Sequence, residues 1–243
     1  MRHEAAPSAA VRWRRPTLLV ALALALAWGA AVLRAPEDSV QGVIQKILYV
    51  HVPCAFAAYA GFGVTAIGGA LYLWRGDERW DRLGHAAAEV GVLFCTLVIV
   101  TGPIWAKGTW GRWWSWDPRL TVTLLLWFVY LAYLLIRGFT EGSERGARFA
   151  AVYGIAGLAA VPLNYFAIDL FGGRAIHPEN LQRGSLGAGM GLPFALGIAA
   201  GLATFVHLVV RRVEIEELRA AASAEELERS AAEGAGEGPP WRM

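Results

Sequence analysis

Six stretches without a charged side chain, at 16–33, 47–74, 90–106, 120–136, 149–168 and 184–210, constrain this chain more than any other feature. Most approach the roughly 20 apolar residues needed to cross a bilayer. A backbone in hydrocarbon must satisfy its own hydrogen bonds, which here means helices. The reading is an all-α integral membrane protein with six transmembrane helices. Residues 1–15 form a leading segment, 16–210 a six-helix membrane domain and 211–243 a charged tail. Residues 1–33 also have the basic start and apolar run of a cleavable signal, but the run reaches spanning length, which favours an anchor.

Charge sets the orientation. With both termini cytoplasmic, fifteen of the 22 Lys and Arg residues fall in inner segments, and the positive-inside rule selects that arrangement. The loop between helices 3 and 4 then faces outward. It belongs to a platform at 105–119, WAKGTWGRWWSWDPR, which holds five of the chain's eleven tryptophans. Pro103 and Pro118 bracket it, and Gly102, Gly108 and Gly111 supply bends. Trp110, Trp113, Trp114 and Asp117 follow helical spacing, so the expectation is a short surface helix with indoles and a carboxylate along one side. A membrane-interface belt explains any one of these indoles. It gives no reason to gather five among Gly, Arg and Asp.

The residues leading into span two, VIQKILYVHVP, put Val43, Ile44, Ile47 and Leu48 on one stripe, as in a short helix resting on the surface and delivering His51 to its edge. Pro53 suits the first turn of the span that follows. Ala57, Gly61, Thr65 and Gly69 form a small-residue ridge in span two, and Gly187, Gly191, Ala195, Ala199 and Ala203 a second in span six. Glu89 reads as interfacial. Pro162 and Asn164 in span five mark a kink and a polar group, which either shapes a pocket or bonds a neighbouring helix. Cys54 and Cys95 lie in apolar runs outside any CxxC or CxxCH pattern and read as packing residues. The tail after Arg212 reads as a solvated helix, with a cytoplasmic partner as the alternative.

Topology sorts the five histidines. His3, His85 and His207 fall inside, leaving His51 and His177 on the outer side, in loops flanking the platform; Asp169, Arg174 and Arg183 accompany His177. The set meets three requirements of haem: axial imidazoles for iron, indoles to stack on the porphyrin, and arginine for the propionates. Zinc usually takes three or four protein ligands, more than the outer side offers. Asp117 reads as a partner of Arg119 or an acceptor orienting the shelf. No phosphate-binding loop, Ser/His/Asp set or outer carboxylate pair is present, so ATP hydrolysis and covalent catalysis are not expected of this chain.

The segment WGRWWSWD, Trp110 to Asp117, followed by PRLT, resembles the tryptophan-rich WWD signature of the haem-handling proteins of cytochrome c maturation, and within them the haem exporter protein C (CcmC) family of system I. YVHVP around His51, the outer His177 and the six-span layout fit the same family, so the resemblance covers nearly the whole chain apart from its termini. It implies a haem-transfer subunit of the bacterial inner membrane, not an enzyme, which binds haem b transiently and passes it to the periplasmic chaperone CcmE. The ATPase CcmA, the membrane subunit CcmB and the single-span CcmD are the implied partners, beside membrane lipid and without nucleic acid. It also implies His51 and His177 as axial ligands, Trp110, Trp113, Trp114 and Trp116 as the shelf, with Asp117 beside it, and Arg119 as a propionate contact. The rivals are a system II haem lyase component, an electron carrier that keeps a bis-histidine haem, and an assembly scaffold.

Overall fold

The computed structural model describes residues 9–140, 142–171, 177–178 and 186–236. Eight α-helices carry the described residues: α1 (Ala9–Arg34), α2 (Leu48–Arg75), α3 (Glu78–Trp110), α4 (Pro118–Phe139), α5 (Glu144–Gly157), α6 (Ala160–Tyr165), α7 (Ala167–Phe171) and α8 (Gly191–Gly236). Six segments are long and apolar enough to cross a membrane, with α5 and α6 together making the fifth. The fold is that of an all-helical, multi-pass membrane protein.

The packing starts from α2, which lies against α3, α5 and α8. Its ridge works as the small residues demand. A Cβ on Gly61 would come within 2.7 Å of the Gly91 Cα, so the backbones of α2 and α3 touch there. Thr65 seals the same seam, donating to Gly61 O at 2.9 Å and lying 3.1 Å from Gly84 O. The ridge expected in span six is displaced. Gly191 meets open space and Ala195 is exposed, whereas Gly197 and Gly201 press on Tyr49 and Pro53 of α2. Spacing alone marks small residues, but only the neighbour's shape decides which of them lie in the seam.

Proline explains one departure from the sequence reading and one kink that it expected. Pro53 is the sixth residue of α2, past its first turn, and its ring fills the groove over Gly201. Near Pro162 the fifth span breaks into α5, α6 and α7. Pro162 has no N–H for the carbonyl of Leu158, which instead accepts from Val161 N at 3.0 Å.

Helices α1 and α8 meet on one side. Arg14 of α1 pairs with Glu214 of α8 at 3.5 Å, and Thr17 lies 3.0 Å from His207. Beside them Glu89 pairs with Arg212, which also holds Glu216, and Asp81 pairs with Arg137 at 2.8 Å. Glu89 is thus an inter-helix clamp. Past this basic end α8 continues beyond the bundle: its 46 residues span roughly 70 Å, more than twice the ~30 Å hydrocarbon core.

Candidate functional site

At the opposite end, α2, α3, α4, α6 and α8 enclose a cavity of about 340 Å³ with mainly apolar walls. This lies within the range of roughly 300–1,000 Å³ usual for small-molecule sites. His51, His177, Trp105, Trp110, Trp114 and Arg119 all line it. Two histidines 126 positions apart in sequence therefore share one chamber with three indoles and a guanidinium.

His51 is the fourth residue of α2 and lines the cavity. The segment before it is a 3₁₀ turn, Val43–Ile47, running directly into the helix; of the expected apolar stripe Leu48 is buried and Ile44 packed, whereas Val43 is exposed and Gln45 is buried in its place. Ile44 packs so closely on Gly108 that a Cβ there would lie 2.4 Å from it. The His51 ring stands edge-on to Trp105, 5.7 Å between centroids, and its Nδ1 lies 2.9 Å from Thr101 Oγ1. A Cβ on Gly102 would sit 3.3 Å from His51 Cε1, so the bare glycine leaves room for the ring's edge. Trp105 is fixed in turn by donating from Nε1 to Gln41 Oε1 at 2.7 Å. Gln41 itself is placed by the turn in which Asp38 Oδ1 accepts from Val40 and Gln41 backbone N–H groups.

The tryptophan platform is not a separate short helix: Trp105 to Trp110 end α3, and residues 111–117 are irregular up to α4. Helix α3 stops there because Gly111 adopts φ 72° and turns the chain. Helical spacing over 110–117 was misleading because the Gly111 turn interrupts it. Consequently the four signature indoles separate. Trp110 and Trp114 line the cavity, whereas Trp113 and Trp116, 60% and 76% exposed, do not. Trp116 braces Trp114 edge-on at 5.8 Å between centroids. Trp114 Nε1 is buried without a hydrogen-bond partner among the described residues.

Asp117 is the hinge of the site. Only 2% exposed, it caps α4 by accepting from Arg119 N at 2.9 Å through Oδ1. Its Oδ2 accepts from the backbone N–H of His177 at 3.1 Å. The carboxylate thus ties the start of α4 to the loop that carries the second imidazole. Pro118 takes the first helical position, where a missing N–H costs nothing, and Arg119 turns inward to donate to the carbonyl of Tyr165. His177 Nδ1 lies 2.8 Å from its neighbour's carbonyl, Pro178 O. Burial, and secondarily the positive Arg119, hold the His177 pKa below the ordinary imidazole value, against an opposing pull from the Pro178 carbonyl and Asp117; the neutral, ligating form is favoured. Arg174 and Arg183 lie outside the described residues.

The deeper wall carries residues that sequence reasoning missed. Tyr59 lies eight residues beyond His51, two turns along the same face of α2, a spacing that pointed to it. Its hydroxyl donates to Asn164 Oδ1, and Asn164 Nδ2 donates to Thr123 Oγ1 at 2.8 Å. Asn164 therefore answers both expectations, lining the cavity and bonding neighbouring helices. Thr101 and Gln41 had no local pattern to reveal them. Cys54 and Cys95 are buried free thiols.

The sequence model of the family described as Heme exporter protein C matches residues 3–228. Heme exporter protein C of Haemophilus influenzae is 33% identical over 205 residues, covering 83% of this chain and 82% of that protein. Heme exporter protein C of Bradyrhizobium diazoefficiens is 32% identical over 210 residues, covering 84% and 78%. A putative cytochrome c biosynthesis ccmC-like mitochondrial protein of Arabidopsis thaliana is 30% identical over 191 residues, covering 78% and 69%.

Proposed function

Because the chain belongs to the Heme exporter protein C family, we propose that it handles haem for cytochrome c maturation, taking haem as cargo into this cavity and yielding it to the chaperone CcmE. The observation that carries the proposal is the convergence of His51 and His177 on one apolar chamber that also presents Arg119. Haem is flat, greasy and acidic at one edge. Its iron accepts two imidazoles, its ring packs on indole, and its propionates pair with guanidinium. Trp110 and Trp114 would supply the indole face, with Trp105 backing His51. Trp114 Nε1, buried without a partner among the described residues, supports the fit, since a buried N–H needs an acceptor and a propionate oxygen would provide one.

In this reading the residues divide their labour. His51 and His177 hold the metal, Arg119 orients the acidic edge, and Asp117 keeps the second ligand loop against α4. Trp113 and Trp116, off the cavity wall, face the surroundings and are suited to the membrane interface. The platform faces the periplasm and the charged tail the cytoplasm of a bacterial inner membrane, where CcmA, CcmB and CcmD would assemble with the chain and ATP hydrolysis would belong to CcmA.

The test is a transfer assay. The full chain in detergent is loaded with ferric haem and mixed with apo-CcmE, and the absorption of each separated protein is recorded. Movement of haem to CcmE supports the proposal. Haem that stays bound and is reduced by quinol points to an electron carrier, and a chain that takes up no haem points to a scaffold.

A further inference from the structure

We infer that Thr101 is a positioning residue that locks His51 as the tautomer protonated on Nδ1, so that its Nε2 lone pair is ready to bind iron before haem arrives. The inference rests on the haem-binding reading of the cavity and goes a step deeper into it. It follows from counting protons at a single hydroxyl. Thr101 Oγ1 lies 2.7 Å from Leu97 O, the carbonyl one turn back in α3, and 2.9 Å from His51 Nδ1. A threonine hydroxyl has one proton and two lone pairs. A carbonyl can only accept, and two oxygens at 2.7 Å with no proton between them would repel. The proton therefore lies toward Leu97, and the hydroxyl oxygen must accept from His51 Nδ1–H.

The ring's setting agrees. Its Cε1 faces Gly102 and its Nδ1 faces Thr101, so one edge of the imidazole is turned to α3. Nε2 lies on the remaining edge, and the residue lines the cavity. Trp105, edge-on at 5.7 Å, limits rotation of the ring. The same count holds at the second histidine. Pro178 O can only accept, so at 2.8 Å His177 Nδ1 must donate, and its lone pair is also on Nε2. Two unrelated local structures, a helix hydroxyl and a proline carbonyl, thus impose one tautomer on both imidazoles. Outer-shell hydrogen bonds of this kind orient metal-bound histidines and raise their basicity.

The His177 acceptor is main chain, so the test falls on Thr101. Thr101→Val keeps the shape and removes the acceptor, while Thr101→Ser restores the hydroxyl. Nitrogen-15 NMR of the haem-free full chain labelled at histidine reads the tautomer directly, and ferric haem titration reads affinity and spin state. The expected result is an Nδ1-protonated His51 in the native chain and in Thr101→Ser. In Thr101→Val the tautomers should mix, with haem bound roughly 10–100-fold more weakly and with a larger high-spin fraction. A native His51 protonated on Nε2, or a Thr101→Val chain whose tautomer and haem spectrum match the native ones, overturns the inference. The underlying reading fails separately: if His51→Ala binds haem as the native chain does, His51 is not a ligand, whatever its tautomer.

Discussion

The two ends of the helical bundle solve opposite problems with polar side chains. At the basic end charges meet charges: Glu89 holds Arg212, Asp81 holds Arg137, and Glu214 is shared by Arg14 and Arg211. At the cavity end the polar atoms are sparse, mostly neutral and set in apolar walls, and Trp114 Nε1 is buried with no partner among the described residues. A paired carboxylate and guanidinium have their interaction already and serve to hold helices. A buried donor kept without an acceptor is costly, by about 1–3 kcal/mol, and is sensible where a cargo completes it. The contrast sets ion pairs that hold helices together against a cavity wall proposed to take a cargo.

Substitutions break that contrast most sharply at the imidazoles. His177→Ala or His51→Ala should weaken uptake of added haem more than any other single substitution in a titration followed by absorption, because one of two axial ligands is lost. Retention of native affinity in both variants would remove the cavity from consideration. Asp117→Ala comes next. It releases the backbone of His177 and uncaps α4, so haem should bind roughly 10–100-fold more weakly, with about 1 kcal/mol lost in thermal unfolding. An Asp117→Ala chain with native haem affinity would show that the ligand loop is held by other means.

Smaller effects sharpen the comparison. Trp114→Phe keeps an aromatic face but deletes Nε1–H, and should weaken haem binding roughly 3- to 10-fold, as one hydrogen bond is worth. Trp113→Phe, off the cavity wall, should stay within about twofold. Equal losses in the two would mean that the irregular platform rearranges around haem. Smallest of all for haem is Arg212→Ala. Its binding curve should match the native one, while stability falls by about 1–2 kcal/mol; partial exposure keeps this below the ~3–5 kcal/mol of a fully buried pair. Weakened haem binding in Arg212→Ala would mean that the two ends are coupled.

How much of this was readable from residues depends on the length scale of each signal. Charge-free runs of bilayer length marked the six spans directly, because hydrocarbon imposes the same demand on every residue. The pairing of His51 with His177 was approached through topology, which left both on one side, and the structure puts both on one cavity. The platform was harder. Trp110, Trp113, Trp114 and Asp117 have helical spacing, yet Gly111 at φ 72° ends the helix, and two of the four indoles turn outward. The network behind the two imidazoles was invisible for a different reason. Thr101 lies 50 residues from His51 and Gln41 lies 64 from Trp105, so neither pairing leaves a local pattern.

Electron paramagnetic resonance of the full chain loaded with one equivalent of ferric haem tests the central claim most directly. A low-spin signal of two imidazole ligands is expected, converting to a high-spin signal when either His51 or His177 alone is replaced by alanine. A low-spin signal that survives either single replacement unchanged would contradict it.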